Sequence, residues 1–375
     1  MHGQTDVLFL DFSKAFDKVS HKCLLHKLQY YGVCGKTNDW IKSFLIGRSQ
    51  CVVVDGKESD WCPVVSGVPQ GSVLGPVLFL LFINDITDKV TSSVRLFADD
   101  SVIYRNIKSP EDQTLLHQDL LTVFNWAKTW GMSFNVKKCV HVTISNKRQP
   151  LTHAYTIDGD AIPQEKSTKY LGVTISSDLS WTNHIETVRA KASRTLGLIR
   201  RNLGPCDASV KERAYQSLVR PQLEYASSVW NPYTKNDKTK IESIQRQAAR
   251  FTVRDYRRTS SVTAMLESLH WDTLEHRRLL AQATMFYKIL NGVVNISMPQ
   301  RFTPNPRSTR GSHHLRYHQV ITNINTYKYS FYPRIIPLWN ILSVEAVSAP
   351  LHQGFSVAAL PIIVCLPPTV SSYGW

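Results

Sequence analysis

The feature of this sequence that most constrains its fold is the tetrapeptide Phe-Ala-Asp-Asp at residues 97–100. Apolar runs at 94–96 and 102–104 flank it, a pattern that predicts a β-hairpin with two carboxylates at its tip. Because neighbouring strand residues point to opposite faces, Asp99 and Asp100 can reach one site only where the chain bends. Two carboxylates about 4 Å apart repel by roughly 4 kcal/mol at an effective dielectric near 20, which a divalent cation would offset. Asp-Asp pairs also occur in turns for local hydrogen-bonding reasons, so both interpretations stand at this point.

The distribution of charge indicates a polyanionic partner. The 375 residues are 43% apolar and 19% charged, which is ordinary for a globular chain of two or three domains. The net charge is +15, and the excess lies in the second half: residues 1–180 carry 19 basic and 18 acidic side chains, and residues 181–375 carry 25 and 11. Nucleic acid is favoured over a membrane, with a solvated basic surface as the alternative.

Neither the cysteines nor the apolar segments indicate secretion or membrane insertion. The seven cysteines are scattered and lack the close spacing of a zinc or redox pair, so we expect reduced thiols in an intracellular protein, in the nucleus or the cytoplasm. The N-terminus lacks a basic segment followed by an apolar one, which predicts a chain that is not secreted. The apolar run at 355–366 contains Pro361 and is too short to span a bilayer.

The first hundred residues predict a buried strand, helices and a shaped loop. Residues 6–12 form an apolar run that carries Asp11 near its end, and helical spacing follows over 14–31, closed by Gly32. Residues 66–76 contain three glycines and two prolines, which excludes a regular element and would let another molecule approach the backbone. An ordinary loop before the apolar helix at 77–83 is the alternative.

The rest of the chain changes from mixed to helical character. We predict a helix from 110 to about 129 behind Ser109, a strand at 140–145 and a strand at 169–175. Further helices are predicted at 181–203, 207–219, 238–253 and 262–290, and the tail at 299–375 is expected to have low order.

The acidic residues before and within the hairpin suit phosphoryl transfer. Enzymes that extend a nucleic acid use two divalent ions about 3.5–4 Å apart, and magnesium requires oxygen ligands. Asp11 at the end of one strand, with Asp99 and Asp100 at the hairpin, supplies such ligands on either side of the glycine-rich loop.

Five motifs carry a specific family resemblance. Residues 9–19 (Phe-Leu-Asp-Phe-Ser-Lys-Ala-Phe-Asp-Lys-Val) resemble the first palm motif of reverse transcriptases from non-LTR (LINE-type, jockey- or CR1-like) retrotransposons. Residues 66–76 resemble the second palm motif, 97–100 the catalytic hairpin, 131–138 the fourth motif and 170–173 the primer grip. Their order along the chain matches that of the family.

The resemblance implies a metal site and a proton donor. Asp11, Asp99 and Asp100 would hold two Mg²⁺ ions, with Mn²⁺ as the alternative ion. Lys138 would be a catalytic residue that protonates pyrophosphate. The adjacent Lys137 leaves the register of this lysine open, and a solvated lysine pair is the alternative.

The resemblance also implies a nucleotide site and a primer site. The nucleotide-binding residues would be Phe12, Phe16, Gln70 and Gly71. Phe12 would contribute its carbonyl, while Phe16 would either exclude a ribose 2′-hydroxyl or be a packed aromatic side chain. Gln70 would contact the incoming nucleotide or the template, and Gly71 would allow that approach. The primer grip would comprise Tyr170, Leu171 and Gly172.

The expected fold is α+β: an incomplete right-hand polymerase palm with an antiparallel sheet and helices over 1–180, then a helical thumb-like region over 181–298 and a poorly ordered tail over 299–375. The match starts at the first palm motif, so we expect an N-terminally truncated fragment without fingers. The expected function is RNA-directed DNA polymerase, with an RNA template, a DNA primer and deoxynucleoside triphosphates as partners. The alternative is a catalytically inactive nucleic-acid-binding remnant.

Overall fold

The chain divides into two compact units. The computed structural model describes residues 3–305, 313–350, 354–356 and 359. One unit comprises Met1–Tyr170 with Ser176–Asp178, and the other comprises Leu171–Ile175 with Leu179–Trp375.

The first unit combines an antiparallel sheet with helices. Its strands are β1 (Gln4–Leu10), β2 (Ser49–Gln50), β3 (Val53–Val54), β4 (Lys57–Glu58), β5 (Cys62–Pro63), β6 (Ser93–Phe97), β7 (Asp100–Asn106), β8 (Val140–Ser145), β9 (Thr156–Ile157), β10 (Asp160–Ala161) and β11 (Ser167–Tyr170). Its helices are α1 (His21–Tyr30), α2 (Gly35–Leu45), α3 (Leu74–Ile83) and α4 (Pro110–Thr129), and a 3-10 turn spans Asn84–Thr87. The α+β class with an antiparallel sheet is thus confirmed for this unit.

A four-stranded sheet in the order β6-β7-β1-β8 forms the centre of this unit. β1 pairs antiparallel with β7 on one side and with β8 on the other, and Leu8 faces Ile103 and His141 across the two ladders. None of the seven residues of β1 is exposed, and the last four of them, Val-Leu-Phe-Leu, form the apolar run that a buried strand requires. Leu8 and Leu10 lie in the hydrophobic core, which the helices help to form.

Local sequence signals set the limits of α4 and α1. Ser109 and Asp112 form a reciprocal capping box at the start of α4, which spans the range that the sequence predicts. The helix predicted over 14–31 is wrong at its start, because residues 13–18 form turns and Lys14 has a φ of +51°. The side chain of Ser20 caps α1 by accepting a hydrogen bond from the Cys23 N–H, so the helix begins at His21.

The second unit is mainly helical. After β12 (Val173–Ser176) come α5 (Thr182–Asn202), α6 (Ala208–Ala214), α7 (Arg220–Glu224), α8 (Ser227–Trp230), α9 (Lys235–Val253), α10 (Val262–Ser268), α11 (Leu274–Leu290), α12 (Asn325–Lys328), α13 (Phe331–Asn340) and α14 (Val344–Val347), with a π-helical turn at Tyr215–Val219. The single helix predicted over 262–290 is wrong, because residues 269–273 separate α10 from α11. The single strand predicted over 169–175 is also wrong: it breaks at Leu171 and Gly172, which both have positive φ.

Part of the segment after residue 298 packs into a core, which differs from the expectation of a poorly ordered tail over 299–375. The ring of Trp339 in α13 lies 5.1 Å from that of Phe286 in α11, and both side chains are buried. Residues 306–312, and most of those beyond 350, lie outside the described ranges. Within those ranges the six cysteines are free thiols, and every helix is too short or too polar to cross a membrane. Cys365 lies outside them.

A buried carboxylate ties β1 to the elements on one face of the sheet. Asp6 is fully buried and accepts hydrogen bonds from Gln4, Gln113 and the Tyr155 hydroxyl, at 2.9 to 3.0 Å. His141 Nε2 lies 3.9 Å from the same carboxylate. Burial by itself would raise the pKa of Asp6. The interaction with His141, followed by the hydrogen bonds from Gln113, Gln4 and Tyr155, outweighs it and lowers the pKa to about 2.

This lowered pKa predicts a specific loss of stability in acid. Because the pKa of Asp6 lies below its unfolded value of 3.8, the stabilisation is present above pH 4 and is lost as the pH falls through about 2. The unfolding free energies of wild type and Asp6→Asn should therefore converge by roughly 2 kcal/mol between about pH 4 and pH 2. Urea unfolding followed by circular dichroism measures this. Asp160→Asn, at an exposed position of the same unit, is the control and should show a constant difference; equal behaviour of the two variants would contradict the assignment.

Candidate active site

The predicted Asp-Asp hairpin is confirmed as a structural element. β6 and β7 pair antiparallel with Phe97 opposite Asp100, which leaves Ala98 and Asp99 as a two-residue turn. Ala98 has a φ of +52°, a left-handed conformation that costs a residue with a Cβ about 1–2 kcal/mol. The tightness of this turn places both carboxylates at the tip of the hairpin.

Strand register brings Asp11 to the same tip. The last paired residues of β1 and β7 are Leu10 and Ser101, so one further step of that register sets Asp11 against Asp100. Directly opposed residues of antiparallel strands have Cβ atoms about 4.5–5.5 Å apart. Burial raises the pKa of Asp100, and the negative charges of Asp99 and Asp11 raise it further. The three predicted carboxylates therefore act on one another electrostatically.

The segment at residues 133–135 holds the backbone around Asp11. The Asn135 N–H donates to the Asp11 carbonyl at 2.8 Å, and the Ser13 N–H donates to the Ser133 carbonyl at 2.8 Å. Phe12 is buried between these bonds, with its ring stacked 4.2 Å from that of Phe134. The sequence gives no sign of this role for Ser133 and Asn135, because it depends on hydrogen bonds between residues more than 100 positions apart.

Lys138 lies beside Asp11. Its Nζ is 3.6 Å from Asp11 Oδ2, and the lysine side chain is 68% exposed while that of Asp11 is 31% exposed. An ion pair of this exposure adds little stability, typically 0–1 kcal/mol, so its ammonium can move at small cost. Of the two adjacent lysines, Lys138 is thus the one that the fold places next to a predicted metal ligand.

The glycine-rich loop lies against the turn that follows Asp11. The Gly67 N–H donates to the Val19 carbonyl at 2.8 Å, and the Val68 N–H donates to the Phe16 carbonyl at 2.9 Å. Gly67 has a φ of +90°, and a Cβ built on it would lie 2.9 Å from the backbone of Asp17. His21 Nε2 lies 2.8 Å from the Gly67 carbonyl, a contact that the sequence pattern does not reveal. These bonds fix the loop relative to β1.

The predicted nucleotide-binding residues surround this junction. The ring of Phe16 is partly buried and stacks on Phe79 of α3 at a centroid distance of 4.4 Å. Gln70 Nε2 donates to Asp17 Oδ1 at 3.0 Å, in an exposed pair. Gly71 has a φ of +83°, and a Cβ there would meet nothing within 4 Å. The space beside Gly71 is therefore open.

The three residues predicted as a primer grip fall in both units. Tyr170 belongs to the first, where its ring lies 5.5 Å from that of Phe9. Burial raises the pKa of Tyr170, and the negative charge of Asp100 raises it further. Leu171 and Gly172 belong to the second unit, where the Tyr225 hydroxyl donates to the Leu171 carbonyl at 3.1 Å.

The carboxylates at the tip of the hairpin are suitable magnesium ligands, but they are not arranged as a complete coordination site. Asp11, Asp99 and Asp100 offer only carboxylate oxygens, the hard donors that Mg²⁺ prefers. In the ranges that the structure describes, however, no three His, Cys, Asp or Glu side chains are grouped as a metal site. Asp11 is directed to Lys138 instead.

Comparison with known proteins identifies the family. Residues 1–175 match the family model described as reverse transcriptase (RNA-dependent DNA polymerase). This part of the chain is a reverse transcriptase domain. It contains the sheet, the Asp-Asp hairpin and the glycine-rich loop described above, and reverse transcriptases as a family use divalent metal ions.

The curated relatives of this chain are named for mobile elements, in agreement with the resemblance to non-LTR retrotransposons. The RNA-directed DNA polymerase from mobile element jockey of Drosophila melanogaster is 33% identical over 262 residues, which cover 64% of this chain and 28% of that protein. The probable RNA-directed DNA polymerase from transposon X-element of the same organism is 30% identical over 259 residues, or 65% and 28%. The chain thus spans little more than a quarter of either relative's length, and the resemblance inferred from the five motifs is confirmed.

Solved structures add little to this assignment. A telomerase from Candida albicans aligns with 78% of this chain and 50% of its own, at 12% identity and a TM-score of 0.35. A score of that size does not establish a shared arrangement.

The close contact at Gly67 predicts that two glycines of one loop differ in their tolerance of a side chain. Gly67→Ala should lower the unfolding free energy by about 3 kcal/mol, because it adds overpacking against the Asp17 backbone to the strain of a positive φ. Gly71→Ala is the matched control and should cost only about 1 kcal/mol, since its surroundings are open. Chemical denaturation of both variants tests this. Equal costs would mean that the loop does not rest on the turn after Asp11.

Proposed function

We propose that this chain is an RNA-directed DNA polymerase of a non-LTR retrotransposon, which adds deoxynucleotides to a primer 3′-hydroxyl by a two-metal mechanism. The observation that carries the proposal is the register that sets Asp11 against Asp100 at the tip of an Asp-Asp hairpin. Membership of residues 1–175 in the reverse transcriptase family supports it. So do the names of the curated relatives, although the chain covers only part of each.

Asp11, Asp99 and Asp100 are the proposed ligands of two Mg²⁺ ions. When bound, such ions lower the pKa of an attacking hydroxyl and stabilise a leaving pyrophosphate. The contribution of the chain is to hold three carboxylates within range of one another at the end of a rigid sheet, at the cost of the repulsion that raises the pKa of Asp100. Lys138 is the proposed proton donor to the leaving group, because its exposed ammonium already lies beside Asp11.

The junction between the glycine-rich loop and the turn after β1 is the proposed nucleotide site. Phe16 would face the sugar with a ring that Phe79 holds in place, and the carbonyl of Phe12 would add an oxygen next to Asp11. Gln70 would exchange its bond to Asp17 for one to the nucleotide or template, and the open space at Gly71 would admit the ligand. Tyr170, Leu171 and Gly172 are the proposed primer grip.

The proposed partners are an RNA template, a DNA primer and deoxynucleoside triphosphates, which implies an intracellular location. Residues 181–298 of the second unit are the proposed thumb-like region. Its support is its helical architecture and its excess of basic residues, which suits a phosphate backbone and predicts binding that weakens as salt increases.

Magnesium-dependent primer extension on an RNA template tests the proposed catalytic carboxylates. The double variant Asp99→Ala, Asp100→Ala, and separately Asp11→Ala, should lose more than a hundredfold in incorporation rate, since changes in outer-shell residues alone typically cost 10–100-fold. Asp160→Ala removes an exposed carboxylate of the same unit and should retain the wild-type rate. Equal incorporation by wild type and the double variant would refute the proposal. Nucleic-acid binding by a wild type that incorporates nothing would favour a catalytically inactive remnant.

A second experiment decides whether Phe16 selects the sugar. If its ring excludes the 2′-hydroxyl, Phe16→Val should lower the preference for deoxynucleotides over ribonucleotides by about tenfold or more. Phe79→Leu serves as the comparison for stability only, because it removes the same ring stacking without changing residue 16. Unchanged sugar preference in Phe16→Val, with both variants equally destabilised, would leave Phe16 as a packed aromatic side chain only.

A further inference from the structure

The second unit contains a cavity surrounded by positive charge. Its volume is about 660 Å³, within the range of about 300–1,000 Å³ typical of ligand sites. We call it the basic cavity; the side chains that line it include Arg200, Arg201, Lys211, Phe251, Arg254 and Tyr256. Four of these are cationic, and no carboxylate is among the lining residues.

Lys211 is a buried cation in the wall of the basic cavity. It is 1% exposed, and its Nζ lies 4.9 Å from the centre of the Phe251 ring. Burial lowers the pKa of Lys211, and the positive charge of Arg254 lowers it further, while Asp207 acts more weakly in the opposite direction. Within the described ranges no carboxylate lies at ion-pair distance from it, although a buried charge is costly unless it is paired. An anion in the cavity would supply that pairing.

Arg254 places a positively charged guanidinium group at the edge of the basic cavity. The residue ends α9 in the left-handed conformation, with a φ of +58°. Its guanidinium donates to the carbonyls of Gly204, Pro205 and Cys206 at 3.2, 2.7 and 2.9 Å. Carbonyl oxygens hold the group in place but do not neutralise its charge. The neighbouring carboxylate of Asp255 is already engaged by Arg257 and by Ser260.

An exposed aromatic ring borders the same cavity. Tyr256 is 55% exposed, and the guanidinium carbon of Arg200 lies 5.8 Å from the centre of its ring. Tyr256 and Arg254 also line a second cavity of about 950 Å³, so the ring stands between two recesses. Cations next to an accessible aromatic ring are what proteins use to hold a single strand, with phosphates on the charges and a base on the ring.

We propose that the basic cavity binds one nucleotide of single-stranded nucleic acid, with its phosphate among Arg200, Arg201, Lys211 and Arg254 and its base against Tyr256. The choice of nucleic acid over other phosphate-bearing ligands rests on the proposed function. A single strand fits better than a duplex, because its unpaired bases can leave the stack and enter a recess, whereas the bases of a duplex are stacked and paired. The basic cavity belongs to the second unit, and the Asp-Asp hairpin belongs to the first.

Fluorescence anisotropy with the full chain tests the proposal, with a labelled single-stranded RNA 12-mer and the same strand in a duplex as probes. Tyr256→Ser should weaken single-strand binding by about tenfold, and Tyr256→Phe, which keeps the ring, should retain wild-type affinity. Arg201→Gln should also reduce the slope of log affinity against log salt by about 0.7. Lys36→Gln, at an exposed position of α2 in the first unit, is the control and should leave the slope unchanged.

Each outcome is decisive. Equal affinity of wild type, Tyr256→Ser and Arg201→Gln for the single strand would overturn the site, as would an effect on the duplex alone. Complete competition by millimolar inorganic phosphate, with no effect of Tyr256→Ser, would reduce it to a simple anion site and overturn the nucleotide assignment. Primer extension by the same wild-type preparation separates the two proposals. If the wild type does not extend a primer but binds the single strand in a way that depends on Tyr256 and Arg201, only the polymerase proposal is refuted. If it extends a primer but the variants bind the single strand as the wild type does, only the cavity proposal is refuted.

Discussion

The register of β1 within its sheet is the constraint on which the candidate active site depends. β1 lies between β7 and β8, so its pairing sets which residues reach the hairpin. Alternate residues of a strand face opposite sides, and this divides β1 into two sets. Leu8 and Leu10 lie in the core. Phe9 faces the other side of the sheet and contacts Tyr170, and Asp11, two residues further on, lies on the same side as Phe9. The carboxylates meet because hydrophobic packing on one face of β1 fixes the positions of the residues on its opposite face.

Elements governed by local signals could be predicted from the sequence. The span of α4 follows from a capping serine before proline and an apolar stripe, and β8 follows from a short alternation of apolar and polar residues. The hairpin was predictable because its strands and its turn lie within 14 residues, from Ser93 to Asn106. The motif order also indicated the family, which the comparison of residues 1–175 confirms.

Features that depend on distant contacts could not be predicted in this way. Residues 14–18 lie in a segment with helical spacing, yet they form turns, and the loop near Gly67 donates hydrogen bonds to the carbonyls of Phe16 and Val19. The support of Asp11 by Asn135 spans more than 120 positions and leaves no periodic pattern. The charge excess of residues 181–375 indicated a polyanion, but only the folded helices bring Arg200, Lys211 and Arg254 around one cavity.

The buried carboxylate of Asp6 affects which register β1 adopts when the sheet forms. A strand that slips by one residue exchanges its two faces, so a shifted β1 would remove Asp6 from its donors and turn Asp11 towards the apolar core. Both changes leave a buried charge unpaired, an error of several kcal/mol. Asp6 thus disfavours a shifted register of β1. A substitution of Asp6, far from the hairpin, would therefore displace the proposed catalytic carboxylates through misalignment of β1, with every one of those side chains still present in the chain.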